Sequence, residues 1–216
     1  MVPKEVRRAF LRSAYNGDQK VLLSMLASSN RKHDESYKRK IVGAPSHSII
    51  FERKRLLREN KELARFICKH NLIDSVDERL QRNALHWAVE QKNKKVASIL
   101  VDHGIDVNAV DKKGQTALHI VSKHKNSLRL LLLLLDEGAQ LNVIDKHGYT
   151  PLMIATINGH IEVVKILLSY GADIFVETEK NYQKKTVMDF ASDSKEEKIL
   201  QLLLHHVYNT TNEFSN

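Results

Sequence analysis

The stretch Asp145–Val176, DKHGYTPLMIATINGHIEVVKILLSYGADIFV, decides how the rest of the chain is read. Thr150 followed by Pro151 predicts a helix start. A threonine hydroxyl can accept from the open backbone N–H groups of a first turn, and proline suits the first helical position. Asn158–Gly159 predicts the end of that helix, since both residues tolerate positive φ. Val163, Val164, Ile166, Leu167 and Leu168 then give a second helix an apolar face, and Gly171 closes it. A single helix–turn–helix of this size cannot bury its own apolar side, so neighbours must stack against it.

Working outward, three further segments align with Thr150–Ala155 (TPLMIA): Asn83–Ala88 (NALHWA), Thr116–Val121 (TALHIV) and Thr186–Ala191 (TVMDFA). In chain order the four start 33, 34 and 36 residues apart. Gly104, Gly138 and Gly171 keep step in the phrases HGIDVNAVD, EGAQLNVID and YGADIFVET. A self-similar period of this length is the mark of a stacked repeat array. The sequence resembles the ankyrin family, whose unit carries a T-P-L-H-x-A segment and a closing G-A-D-V-N-A. The resemblance implies an all-α solenoid of about six helix–turn–helix units joined by β-hairpin loops.

The register extends in both directions. Glu62–Val76 lies 100 residues before Glu162–Val176, with Asn71 in the glycine place, and Ala14–Leu26 repeats the turn around Gly17. Lys195–His205 reads as a last helix. The expected organisation is a degenerate capping repeat over residues 1–29, a basic polar insertion over 30–47 and a degenerate repeat over 48–76. Three well-formed repeats then occupy 77–176, a C-terminal capping repeat 177–208 and a polar tail 209–216. The end units are expected to turn polar faces outward. Three departures stand out: an extra residue within Lys123–Leu128, a solvent-facing Leu132, and a hairpin three residues longer than usual over Glu177–Lys185.

The 216 residues are 42% hydrophobic and 28% charged, the balance of a globular protein. Cys68 is the single cysteine, which excludes an intramolecular disulfide and fits a reducing compartment. Met1–Glu5 leads into charged residues with no apolar signal core, and Leu130–Leu135 is too short to span a bilayer. The expectation is a cytoplasmic or nuclear protein, monomeric, with no membrane segment. The net charge of +8 is uneven: residues 1–75 hold 17 Lys and Arg against 8 Asp and Glu, and residues 76–216 hold 17 against 18.

Catalytic motifs are missing from the sequence, and no enzyme activity, metal or cofactor is expected. Cys68 aligns with Leu168 on a buried helix face, where a thiol acts as a small apolar group. His86 and His119 are 33 residues apart because each fills the histidine place of the T-P-L-H segment. The resemblance implies that this imidazole ties adjacent units by hydrogen bonds. His103 precedes a helix-closing glycine, a place suited to a cation, and the neighbours His205 and His206 point to different faces. Lys38–Arg39–Lys40 and Arg53–Lys54–Arg55 read as nuclear signals, nucleic-acid contacts or a solvated face.

Ankyrin arrays bind through hairpin tips and the exposed side of each first helix. By resemblance the docking residues are Arg79, Leu80 and Arg82, with Glu90 and Gln91, from the first well-formed unit. The second gives Lys112, Lys113, Gln115, Lys123 and His124, and the third Lys146, His147, Tyr149, Ile157 and Asn158. Their basic bias in a near-neutral region predicts an acidic protein partner, with Tyr149 and Ile157 as apolar anchors. The implied role is an adaptor, scaffold or masking inhibitor, as ankyrin inhibitors of Rel-type transcription factors act. The alternative is a nucleic-acid or chromatin module using the basic first third. Asn108 sits in a phrase, LVDHGIDVNA, whose asparagine is hydroxylated in some family members.

Overall fold

Four first helices of the array, those that open at Asn83, Thr116, Thr150 and Thr186, start on a polar side chain that closes a ring with the third residue of the helix. In the computed structural model, which describes residues 4–29, 72–180, 183–193 and 197–213, Thr150 Oγ1 accepts from Met153 N (3.3 Å). The residue at the third position answers by accepting from the capping backbone N–H. His119 Nδ1 does so for Thr116 N (3.1 Å), His86 Nδ1 for Asn83 N (3.3 Å), and Met153 Sδ for Thr150 N (3.5 Å). Asp189 Oδ2 takes the same part for Thr186 N (2.7 Å) and Oγ1 (2.9 Å), and this hydrogen bonding holds its carboxyl below the usual aspartate range.

The chain divides into two compact units, residues 1–106 and 107–216. In the first, helix α1 (Lys4–Asn16) buries Val6, Phe10 and Ala14, one every fourth residue along one face. It packs on α2 (Gln19–Ser29) and on α3 (Ala84–Glu90), while α2 packs on the 3-10 turn Leu72–Asp74 and on α4 (Lys94–Asp102). The pair α1–α2 is thus the direct stacking neighbour of the repeat that opens at Asn83. The insertion expected over 30–47, the degenerate repeat over 48–76 up to residue 71, Cys68 and both basic runs lie outside the described residues.

The second unit holds α5 (Ala117–Ser122), α6 (Leu128–Asp136), α7 (Pro151–Ile157) and α8 (Ile161–Ser169). An antiparallel hairpin follows, β1 (Thr178–Lys180) with β2 (Gln183–Lys185), and then α9 (Val187–Asp193) and α10 (Glu197–Glu213). First helices stack on first helices, α7 between α5 and α9, and second on second, α8 between α6 and α10. The core is aliphatic, with Leu118, Ile120, Leu131, Leu134, Leu152 and Leu167 fully buried. Each such side chain contributes about 1.5–3 kcal/mol.

The local expectations meet the structure as follows. Gly159 and Gly171 take positive φ, 69° and 88°, but Asn158 stays at −87°, so one left-handed residue suffices to end α7. Val163, Val164, Leu167 and Leu168 are buried while Ile166 is half-exposed. Leu132 faces solvent at 37% exposure. The α5–α6 turn takes five residues, Lys123–Ser127, where the α7–α8 turn takes three. The polar outer face expected of the last unit is incomplete, since Leu204 and Tyr208 on α10 are exposed. His103 is not a helix-end cation: its Nδ1–H donates to Ile99 O (2.6 Å), and burial pushes its pKa down.

Candidate functional site

The hairpin tips that carry the basic residues are folded by buried aspartates. Asp111 Oδ1 accepts from Lys113 N (2.7 Å) and Gln115 N (3.0 Å), and Asp145 Oδ1 from His147 N (2.8 Å) and Tyr149 N (3.0 Å). Each tip is closed by a backbone bond, Asp111 N to Gln115 O and Asp145 N to Tyr149 O, both 2.9 Å. Gly114 and Gly148 supply the positive φ that the turn demands. Lys146 N then donates to Lys113 O (2.9 Å), joining one tip to the next.

Between these tips and the ends of α5 and α7 lies a groove of about 370 Å³. It is lined by the polar residues Lys113, Gln115, Lys123, Asp145, His147 and Asn158 and by the apolar surfaces of Tyr149, Ile154 and Ile157. Seven of these nine are among the residues that the sequence singled out. Asp145 and Ile154 were missed, although the recurrence of aspartate three residues before the tip glycine, at Asp111 and Asp145, was a usable signal.

The side chains divide by what holds them. Lys112, Lys113, Lys146 and His147 are exposed, and among the described residues the three lysines join no ion pair. Ile157 is 47% exposed. Gln115 is buried, its Nε2 donating to Asp145 Oδ2 (2.7 Å) and its Oε1 accepting from Lys123 Nζ (2.8 Å), so it braces the groove. Tyr149 is half-buried, its ring edge-on to Phe190 at 5.6 Å between centroids. Asn158 donates to Ile154 O (2.7 Å), and His124 is half-buried.

In the first unit, Arg79 N (2.9 Å) and Leu80 N (2.7 Å) donate to Asp77 Oδ1, and the Arg79 side chain is exposed. Arg82 is held from two sides. Its guanidinium lies 5.1 Å over the Trp87 ring and 3.4 Å from Glu90 Oε2, with its side chain 12% exposed. Trp87 in turn meets Tyr15 edge-on at 5.6 Å. That cation is engaged within the repeat. Gln91 is exposed at the end of α3.

His119 holds adjacent repeats together. It is fully buried, Thr116 N–H and Oγ1 point at its Nδ1, and Nε2–H donates to Tyr149 O (3.1 Å). Burial pushes its pKa down, against the raising effect of the Tyr149 carbonyl. Asn108 bridges in the same sense, donating to Gly138 O (3.2 Å) and accepting from Gln140 N (2.8 Å). Among the described residues no cluster of His, Cys, Asp and Glu could hold a metal ion, and no helix is long and apolar enough to cross a membrane.

Comparison with known proteins agrees with this architecture. The family described as Ankyrin repeats (3 copies) matches residues 54–111, 107–178 and 126–213. An ankyrin repeat protein of Fowlpox virus (strain NVSL) is 28% identical over 154 residues, 56% of this chain and 30% of the viral one. The E3 ubiquitin-protein ligase XBAT32 of Arabidopsis thaliana is 32% identical over 130 residues, 60% of this chain and 24% of the ligase. Diacylglycerol kinase iota of Homo sapiens is 30% identical over 105 residues, 46% of this chain and 10% of the kinase. The chain therefore spans less than a third of the length of these relatives. It belongs to the ankyrin repeat family, whose units serve as protein–protein interaction modules.

Proposed function

We propose that the chain is a non-catalytic binding module, acting as an adaptor, scaffold or masking inhibitor, that takes an acidic protein partner on the groove between Lys113 and Asn158. The observation that carries this reading is the juxtaposition of unpaired lysines with an exposed apolar wall. Lys112, Lys113 and Lys146 enter no ion pair among the described residues, and Ile157 is 47% exposed beside Tyr149.

Exposed lysines outside the groove, such as Lys94 and Lys95, also join no ion pair among the described residues, so what marks the tip lysines is the apolar surface beside them. On the hairpin of the last repeat, Lys184 pairs with Glu177 (2.7 Å) and Lys185 with Asp193 (2.8 Å). Positive charge left open around an apolar patch steers an acidic surface and lets an apolar anchor hold it. The relatives that carry similar repeats are a viral protein, a ligase and a kinase, so the repeats themselves do not fix one pathway.

The test is capture of partners from cell extract by the wild-type chain and by Lys112→Glu/Lys113→Glu, with mass spectrometry and then direct affinity measurement. The expected result is an acidic protein captured by the former and lost by the latter, with affinity falling as salt rises. An unchanged affinity after both reversals would sink the proposal. Steeply salt-dependent binding to arbitrary DNA or RNA, in place of any protein, would replace it with a nucleic-acid module.

A further inference from the structure

Four repeats can be compared at two positions: the residue just before the capping residue, and the residue seven after it. The first position precedes the first helix and the second lies at its end, and in three of the four repeats the two side chains are joined. In the repeat at Asn83 they are Arg82 and Glu90, 3.4 Å apart. In the repeat at Thr186 they are Lys185 and Asp193, 2.8 Å apart. At Thr116 they are Gln115 and Lys123, joined at 2.8 Å. At Thr150 they are Tyr149 and Ile157, and both line the groove.

The polar versions of this pair close on themselves. An apolar pair cannot, and it leaves the Ile157 side chain open beside the Tyr149 ring, with Ile154 in the wall of the same groove. Of the polar side chains that line the groove, Asp145, Gln115, Lys123 and Asn158 are already hydrogen-bonded within the protein. Recognition of a ligand's polar groups therefore falls to the exposed Lys113 and His147. A groove of about 370 Å³ is at the small end of ligand sites, which run to roughly 1,000 Å³. It suits one inserted side chain rather than a folded element.

Building on the acidic-partner reading, we infer that the groove takes a short extended peptide segment of the partner. One aliphatic or aromatic side chain enters between Tyr149 and Ile157, and a carboxylate a few residues away meets Lys113. Alternate residues of an extended chain point to opposite sides, so a carboxylate and an apolar side chain can both face the groove when an intervening residue turns away.

Selection of random short peptides displayed on phage against the full chain tests this. The expected enrichment is of peptides with an aliphatic or aromatic residue followed or preceded at short range by Asp or Glu. Affinity for a selected peptide should fall about tenfold with Ile157→Asp and about tenfold with Lys113→Glu, about 1.4 kcal/mol each, and hold with Ile157→Leu. Circular dichroism of each variant checks that it is folded. Enrichment of acidic peptides indifferent to Ile157→Asp would overturn the inserted anchor and leave the acidic-partner reading standing. Peptides without acidic residues, bound equally by Lys113→Glu, would overturn both. No enrichment at all would also overturn the inference, since a short segment would then not suffice.

Discussion

The repeat that opens at Asn83 and the one that opens at Thr150 share a backbone plan and differ in what they do with their side chains. The first spends its cation internally: Arg82 lies over Trp87 and reaches Glu90, and Tyr15 completes an aromatic edge contact. The second places Tyr149 and Ile157 in those positions and leaves an open apolar wall, while the lysines on the neighbouring tips pair with nothing among the described residues. Carrying the family's binding positions onto both repeats treats them alike. The contacts separate them: one surface is neutralised from within and the other is available.

The sharpest way to break this contrast is through the aspartates that fold the tips. Asp145→Ala leaves the backbone N–H groups of His147 and Tyr149 and the buried Gln115 amide without their acceptor. A loss of about 2–3 kcal/mol in urea denaturation is expected, together with loss of binding at the groove. Asp77→Ala removes three comparable bonds, to the N–H groups of Arg79, Leu80 and Arg82. Asp77 is only half-buried, so water replaces part of what is lost and about 1 kcal/mol is expected, with binding unchanged. Equal binding losses in the two variants would erase the distinction between the repeats.

A paired exchange sharpens it next. Arg82→Gln removes a cation–aromatic contact and a half-exposed ion pair, a destabilisation of about 1 kcal/mol, and should leave affinity for the partner alone. Lys113→Gln should do the reverse, moving stability by less than about 0.5 kcal/mol while weakening binding several-fold. The stability effect belongs to one residue and the binding effect to the other.

Much of the fold was legible because its signals are local. Thr150–Pro151, Gly159 and Gly171 fix helix ends through backbone geometry, and the Val163–Leu168 run fixes a face through its period. The repeat then multiplies each signal. The groove was legible in outline for the same reason, since hairpin tips and first-helix ends recur at set offsets. What escaped was the pairing of side chains eight residues apart across the hairpin-to-helix corner. Arg82, Gln115 and Lys185 look equally free in a string of letters, yet each is braced by a partner whose identity varies from repeat to repeat. The buried aspartates escaped because a charged residue in a polar loop reads as solvated.

Backbone strain offers a smaller effect. The Asn83 repeat holds Gln81 at φ 56° and Lys92 at φ 55°. The Thr150 repeat has Gly148 and Gly159 at the same places, with φ 84° and 69°. A left-handed non-glycine residue costs about 1–2 kcal/mol, offset in part by the greater freedom that glycine loses on folding. Gln81→Gly should raise stability by about 0.5–1 kcal/mol, read as a higher urea midpoint, without altering the groove. A lower midpoint would mean that the Gln81 side chain contributes more than its backbone costs.

The smallest effect, and the most specific, is in acid. His119 is fully buried and uses Nδ1 as an acceptor, so the folded state keeps the imidazole neutral and its pKa lies below the ordinary 6.5. The unfolded chain takes up the proton first as pH falls through 6.5, and stability therefore drops from there downward until the folded pKa is reached. His103, also held neutral by burial, adds to the same slope. The Thr150 repeat already shows a non-titrating substitute, since Met153 Sδ accepts the N–H of its cap. His119→Met should be somewhat less stable near neutrality, having lost the bond to Tyr149 O, but its urea midpoint should fall less steeply with acid than the wild type. The slope that remains belongs to His103 and, further into acid, to Asp189, whose depressed carboxyl also loses stability as it protonates. A slope identical to the wild type would mean that the buried imidazole of His119 contributes nothing to it.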